Sequence, residues 1–315
     1  MILKENQKYF IPIFIVISII FILILISIDY SKSSFAFVTK INQSNKNISE
    51  FIKKGDYNRE IIRDYHKAIE WYDKVLDIDQ TNVDTLSKKA LALSNLYNFT
   101  EAFELVNKAL DLEPNSVIAL SAKGFAIYMR GNISEAIKYY DKALTINANF
   151  IWTLDHKGYT LSDQGNYSEA IKYFDKALEI NPNDADLLSD KGDALSRQGN
   201  YSEAIKYYDK ALTVNPNEVV SLIDKGYILS DRGNYSEAIR YFDKALEINP
   251  NDAYALIYKG GLLLALGNYA DAIKYYNKAL KLSPDDYGVF NNIAYDLVRY
   301  SYNYSKALEL VNKAL

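Results

Sequence analysis

Residues 151–184 read IWTLDHKGYTLSDQGNYSEAIKYFDKALEINPND, and this pattern returns along most of the chain. The segment GNYSEA within it occurs at Gly165–Ala170, Gly199–Ala204 and Gly233–Ala238. Another series of glycines recurs at the same constant interval, at Gly124, Gly158, Gly192, Gly226 and Gly260. Self-similarity at one fixed period is the signature of a repeat architecture, so this period determines the fold.

Small and aromatic residues hold fixed places within each repeat. In residues 151–184, Gly158 is followed by Ala170, then by Phe174 one helical turn later, and then by Ala177. Glycine and alanine let two helices cross closely, and the aromatic ring fills the space beside the crossing. Prolines that end the second helix close most repeats, at Pro114, Pro182, Pro216, Pro250 and Pro284. The pattern therefore predicts two helices per repeat.

The turn between the two helices carries its own signals. Gly165 is suited to the left-handed conformation that ends a helix. Asn166 follows as a predicted N-cap, with Glu169 at the position that completes a capping box.

A 34-residue helix-turn-helix unit with these columns resembles the tetratricopeptide repeat (TPR) family. Leu154 stands where the family has an aromatic residue, and Lys157 stands where it usually has leucine. The other signature positions are matched by Gly158, Leu161, Ala170, Phe174, Ala177 and Pro182. The resemblance implies an all-α fold, a right-handed α-solenoid superhelix of helix-turn-helix repeats. We place the repeats at 48–82, 83–116, 117–150, 151–184, 185–218, 219–252, 253–286 and 287–315.

An uncharged segment precedes the repeats. Residues 9–28 read YFIPIFIVISIIFILILISI, and 20 helical residues extend about 30 Å, the thickness of a bilayer's hydrocarbon core. We predict a single transmembrane helix that acts as a signal anchor, after a short tail at 1–8 and before a linker at 29–47. A cleaved signal peptide is the alternative, although its apolar region is usually shorter. The predicted location is a single-pass membrane protein with its repeats outside the cytoplasm.

Composition excludes several kinds of chemistry. The chain of 315 residues has no cysteine, which rules out disulfides, thiolate metal sites and a cysteine nucleophile. Its net charge of −4 argues against nucleic acid as a partner. His66 and His156 are the two histidines, and each lacks the partners of a general base or metal ligand. We therefore predict no enzyme activity, no catalytic residues, no metal and no cofactor.

The resemblance also implies a concave groove lined by the first helix of each repeat, where a protein or peptide partner binds. The groove positions hold many aspartates and several polar aromatic residues. The predicted partner-binding residues are Asp84, Trp152, Asp155, His156, Tyr159, Asp163, Asp186, Asp190, Asp193, Asp224, Tyr227 and Asp231. The Lys/Asn/Arg set with which chaperone-binding TPR domains hold a carboxylate is missing. We predict a membrane-anchored scaffold that binds a basic or hydroxyl-rich segment; alternatively, the acidic groove only keeps the array soluble.

Three further features allow two interpretations each. The lysine column Lys89, Lys123, Lys157, Lys191, Lys225 and Lys259 either grips acidic ligands or, as we favour, packs its stems between helices and pairs with neighbouring carboxylates. The tyrosine column around Tyr173 and Tyr207 either stacks ligands or, more simply, packs second helices. The last repeat offers an alternative function, in which apolar residues left without a cap mediate self-association: Ile293, Leu297, Leu308 and Val311.

Overall fold

A computed structural model describes residues 43–284 and 286–301, and within these ranges the chain is built from helices with no strand. The first helices of the pairs are α1 (43–57), α3 (Val83–Asn95), α5 (Val117–Met129), α7 (Ile151–Asp163), α9 (Ala185–Arg197), α11 (Val219–Asp231), α13 (Ala253–Ala265) and α15 (Tyr287–Asp296). The second helices are α2 (Tyr65–Leu76), α4 (Phe99–Leu112), α6 (Ile133–Ile146), α8 (Tyr167–Ile180), α10 (Tyr201–Val214), α12 (Tyr235–Ile248) and α14 (Tyr269–Leu282). Single π-helical turns follow α1 and α15, at Asn58–Ile62 and Leu297–Ser301. The all-α prediction is confirmed for the described residues.

The helices group into two compact bodies that divide between Met129 and Arg130. In the N-terminal body, α3 packs against α2, α4 and α5. In the C-terminal body, each helix from α6 to α15 packs against the next one in sequence. The first helices α7, α9, α11, α13 and α15 also contact one another in that order. They form a layer that we call the first-helix face.

Close packing of an aromatic ring on a glycine joins the two helices of a pair. A Cβ atom added to Gly192 in α9 would lie 2.6 Å from the Tyr208 ring of α10. The same crossing recurs between Gly226 and the ring of Phe242, where the distance is 2.7 Å. The alanine columns at these crossings are fully buried, as at Ala204. These contacts explain why the sequence keeps glycine, alanine and an aromatic residue at fixed spacing.

The turns between paired helices match the glycine prediction and only part of the capping prediction. Gly165 and Gly199 have φ of +83° and +86°, in the left-handed region. Asn166 occupies the N-cap of α8, but its side chain makes no capping hydrogen bond. In the equivalent turn before α12, the Asn234 amide donates to Glu237 Oε2 at 2.7 Å. The same amide-to-carboxylate contact at Asn132 coexists with a capping hydrogen bond, so it does not by itself prevent capping; the predicted capping bond is wrong at Asn166.

The lysine column links consecutive helix pairs. Lys225 of α11 is 7% exposed and donates to Asp209 Oδ1 of α10 at 2.5 Å and to the Tyr241 hydroxyl of α12 at 2.6 Å. Lys191 repeats the arrangement with an aspartate of α8 and a tyrosine of α10. The favoured interpretation is therefore confirmed at five of the six lysines, whose ammonium groups meet neighbouring carboxylates; Lys123 instead donates to the Asn107 amide oxygen. It also explains the tyrosine column, whose hydroxyls accept these bonds.

The predicted membrane location needs correction. In the described ranges, no helix is both long enough and apolar enough to cross a bilayer. The α-helices whose two ends both lie in these ranges have at most 14 residues, as in α8. Such a helix is about 21 Å long, whereas the hydrocarbon core of a bilayer is about 30 Å thick. The segment 9–28, on which the prediction was placed, lies outside the described residues.

Two of the apolar residues assigned to self-association are not exposed. Ile293 is 1% exposed and Leu297 9% exposed, and both belong to a core cluster with Leu256 and Tyr276. The other two, Leu308 and Val311, lie outside the described residues. The described part of α15 thus buries its apolar side within its own body, which removes two of the four residues on which that alternative depended.

Candidate functional site on the first-helix face

The predicted groove residues lie on the first-helix face of the C-terminal body, with one exception. The exception is Asp84 of α3, which belongs to the N-terminal body. Its Oδ2 lies 3.0 Å from Nζ of Lys88. Helix α7 carries Trp152, Asp155, His156, Tyr159 and Asp163, helix α9 carries Asp186, Asp190 and Asp193, and helix α11 carries Asp224, Tyr227 and Asp231. Because α9 contacts both α7 and α11, the repeat brings these side chains onto one surface.

Partly buried carboxylates form the centre of this surface. Burial is the main reason that the pKa of Asp190 lies well above its ordinary value, and the charge of Asp155 adds to the shift. Burial, reinforced by Asp193 and Glu218, also raises the pKa of Asp224 to about 7. Oδ1 of Asp155 is buried and accepts no hydrogen bond from a protein donor in the described ranges. Its neighbour Asp190 can donate to Asp155 only when protonated, so simultaneous ionisation of the two carboxyl groups is unfavourable.

An aromatic pair flanks the carboxylates on α7. The rings of Trp152 and His156 stack with their centroids 3.7 Å apart. Nδ1 of His156 lies 2.9 Å from the Trp152 carbonyl oxygen and 3.4 Å from Asp155 Oδ2. Both rings are partly buried, and Tyr159, one turn further along, is 43% exposed. This arrangement offers flat apolar surface beside negative charge.

Ion pairs within the protein neutralise part of the predicted acidic set. Nε of Arg197 lies 2.8 Å from Asp193 Oδ2, and its Nη1 lies 3.6 Å from Asp163 Oδ1. At the far end of the face, Nη2 of Arg299 lies 3.8 Å from Asp231 Oδ1. Among the described residues, no cluster of acidic and histidine side chains has the arrangement needed to hold a metal ion.

Sequence analysis missed a cavity at that end of the face. It has a volume of 280 Å³ and lies among α11, α13 and α15. Its lining includes Tyr227, Asp231, Tyr258, Gly261, Tyr295 and Asp296. Tyr258 occupies the same place in its repeat as Asp190 and Asp224 occupy in the two preceding repeats. That regular spacing was the signal that could have indicated Tyr258.

Family comparison agrees with this architecture. Family models of the tetratricopeptide repeat match residues 87–149 and 223–287, and also 149–217 and 183–251. Together these matches span residues 87–287, more than half of the chain. The chain belongs to the tetratricopeptide repeat family. A Sel1 repeat model also matches this TPR protein, at residues 50–74.

Solved structures resemble the TPR chain in fold. One is the Cut9–Hcn1 hetero-tetramer of the APC/C, with 21% identity, a TM-score of 0.65, and coverage of 80% of this chain and 52% of that chain. This chain thus spans about half the length of that relative. Another is PilF of Pseudomonas aeruginosa, with 22% identity, a TM-score of 0.56, and coverage of 64% of this chain and 92% of that chain. No curated protein matches the chain.

TPR repeats generally bind other proteins and serve as interaction scaffolds, and the family models matched here describe repeats rather than a catalytic domain. The chemistry of the first-helix face agrees with such a role. It combines partly buried carboxylates with exposed and partly buried aromatic rings.

Proposed function

We propose that the C-terminal body binds an extended, positively charged peptide segment across the first helices α7, α9 and α11. The observation that carries this proposal is the group of partly buried carboxylates, Asp155, Asp190 and Asp224, with pKa values raised at the last two. Burying like charges near one another costs folding free energy. Perturbed titratable groups of this kind are typical of functional sites.

A cationic ligand would relieve this cost. A lysine or arginine side chain placed over the carboxylates would neutralise their mutual repulsion and return hydrogen bonds to buried oxygens such as Oδ1 of Asp155. Serine and threonine hydroxyls would donate to the same oxygens without bringing a second charge that must be desolvated. The flat surfaces of Trp152 and Tyr227 would supply the apolar contacts that provide most binding energy in such interfaces.

Peptides of equal length but different charge test this proposal. We expect a lysine-rich peptide to bind the full chain most tightly, a serine-rich peptide less tightly and a glutamate-rich peptide least, measured by fluorescence anisotropy. The triple variant Asp155→Asn, Asp190→Asn, Asp224→Asn should bind the lysine-rich peptide at least about tenfold more weakly. Tighter binding of the glutamate-rich peptide would contradict the proposal.

A matched control removes the same amount of charge elsewhere. Glu104, Glu179 and Glu247 are exposed on second helices, so replacing all three with glutamine changes the net charge equally without altering the first-helix face. This variant should bind the lysine-rich peptide nearly as well as the unaltered chain. An equal loss in both triple variants would mean that only overall charge matters. Circular dichroism checks that each variant remains helical.

A further inference from the structure

We propose that the cavity among α11, α13 and α15 holds the long cationic side chain, lysine or arginine, that anchors the bound peptide. This inference rests on the proposed function and deepens it, because it assigns one side chain of the ligand to one place on the first-helix face. The shared chemistry is a cationic head on an apolar stem.

The cavity lies beside a glycine that stands where the two flanking repeats have tyrosine. Tyr227, Gly261 and Tyr295 occupy the same place in three successive repeats. A Cβ atom added to Gly261 would lie 2.9 Å from Cγ of Asp296, so glycine makes room for that carboxylate. The volume of 280 Å³ lies just below the range of about 300–1,000 Å³ that small-molecule sites occupy, and it suits a single long side chain.

Aromatic rings form the walls. The ring centroids of Tyr227 and Tyr258 are 5.1 Å apart, with the rings tilted by 47°. The ring centroid of Phe242 lies 6.2 Å from that of Tyr258. Such walls accept the methylene stem of a lysine or arginine, and their π faces attract its cationic head. A neutral apolar side chain would gain the contact with the aromatic walls but not the attraction between a cation and their π faces.

Negative charge lies at the inner end and at the rim. Asp296 is partly buried and accepts a hydrogen bond from the Tyr276 hydroxyl at 2.9 Å, which fixes the orientation of its carboxylate. Asp231 lies at the rim. A carboxylate at the end of an aromatic-walled cavity is the complement of an ammonium or guanidinium group on a stem.

The protein already shows this recognition at the rim with a residue of its own. The guanidinium carbon of Arg299 lies 5.7 Å from the centroid of the Tyr295 ring, and Nη2 lies 3.8 Å from Asp231. The side chain of Arg299 remains 46% exposed and its ion pair is long. The cationic head of the ligand's side chain would meet a ring and a carboxylate of the same kind further inside the cavity, at Tyr258 and Asp296.

Two peptides and one variant test the assignment. A serine peptide that carries one central lysine, and the same peptide with glutamine in its place, are titrated against the full chain. We expect the glutamine peptide to bind the unaltered chain about tenfold more weakly than the lysine peptide does. The two peptides should bind the Asp296→Asn variant almost equally well. Asparagine retains an acceptor for the Tyr276 hydroxyl. The exposed Glu247→Gln is the control and should keep the full difference.

Small probes locate the site without a peptide. Butylammonium, butylguanidinium and the neutral butanol are added to the full chain, and tyrosine ring signals are followed by NMR. The two cations should shift the signals of Tyr227 and Tyr258, and butanol should shift them less. Whichever cation binds more tightly shows whether lysine or arginine is the anchor. An unchanged lysine-to-glutamine difference in Asp296→Asn, with no ring shifts, would overturn this inference while the proposed function stands. Failure of all basic peptides to bind, with ring shifts still present, would instead overturn the proposed function.

Discussion

Single residues reveal where the fold tolerates strain. Tyr97 occupies the turn between α3 and α4 with φ of 59°, whereas the equivalent turns of the following repeats use glycine at this place, as at Gly131 and Gly165. The tyrosine is 69% exposed, so burial does not compensate for its conformation. A left-handed conformation costs a non-glycine residue roughly 1–2 kcal/mol.

We predict that Tyr97→Gly is more stable than Tyr97→Ala by about 1 kcal/mol. Both variants lose the edge-to-face contact of Tyr97 with Phe99, so the comparison isolates the backbone conformation. Urea unfolding of the full chain measures the difference. Equal stability of the two variants would show that this turn relaxes out of the left-handed region.

A second residue-scale prediction concerns Asp224, whose pKa is raised to about 7 by burial and by Asp193 and Glu218, against the opposing effect of Arg197. Because the folded-state pKa lies above the unfolded value of 3.8, the contribution of this group to stability is present at low pH and is lost as pH rises through 7. Asp224→Asn should therefore raise the free energy of unfolding at pH 8, by about 2 kcal/mol, and by much less near pH 4.

Thermal unfolding at the two pH values checks this prediction. The exposed Glu247→Gln should give no such pH-dependent gain. The same Asp224→Asn variant should bind a lysine-rich peptide more weakly, since a carboxylate retained at a cost to folding is expected at a binding site. A gain in stability that is equal at both pH values would contradict the raised pKa.

At the scale of elements, buried lysines hold neighbouring helix pairs together. Lys191 is 7% exposed and donates to the Tyr207 hydroxyl at 2.7 Å while it also contacts Asp175. We predict that Lys191→Met, which keeps the buried stem, lowers the free energy of unfolding by about 1–2 kcal/mol because a charged hydrogen-bond network is lost.

Lys172→Met provides the comparison. Lys172 is mostly exposed and pairs with Glu169 within one helix, so its replacement should cost much less than that of Lys191. Chemical denaturation of both variants gives the two values. Equal costs would mean that the buried bonds contribute no more than a surface ion pair.

The elements were also the part of the structure that the sequence predicted best. Glycine, alanine and aromatic columns act through contacts inside one repeat, such as Gly192 with Tyr208, and these recur at fixed spacing. The site was predicted less completely, because burial and pairing depend on side chains from several helices. Helical spacing indicates the pair of Asp193 and Arg197, but no pattern within one repeat indicates that Arg197 also contacts Asp163 of the preceding repeat. The cavity escaped because it lies beside Gly261, where the two flanking repeats have tyrosine.

At the scale of the whole molecule, the net charge of −4 favours encounter with cationic segments. We predict that the association rate of a lysine-rich peptide falls by about tenfold or more between low and high salt, because ions screen the attraction over a Debye length of about 10 Å at 0.1 M. Stopped-flow measurements across a salt series give the rate. A glutamate-rich peptide is the control, and its rate should rise or stay constant. A lysine-rich peptide with a salt-independent rate would indicate apolar recognition alone.

The lysine bonds have a consequence for how the chain can change its length. Lys157, Lys191 and Lys225 each bond to one residue in the second helix before them and to one in the second helix after them, 16 residues away on either side, so the two partners span less than one full period. A duplicated block of one period inserted in frame would bring a new lysine, aspartate and tyrosine and would complete the same bonds with the blocks on either side. The number of repeats is thus free to grow or shrink by unequal recombination, with no compensating substitutions at the junctions.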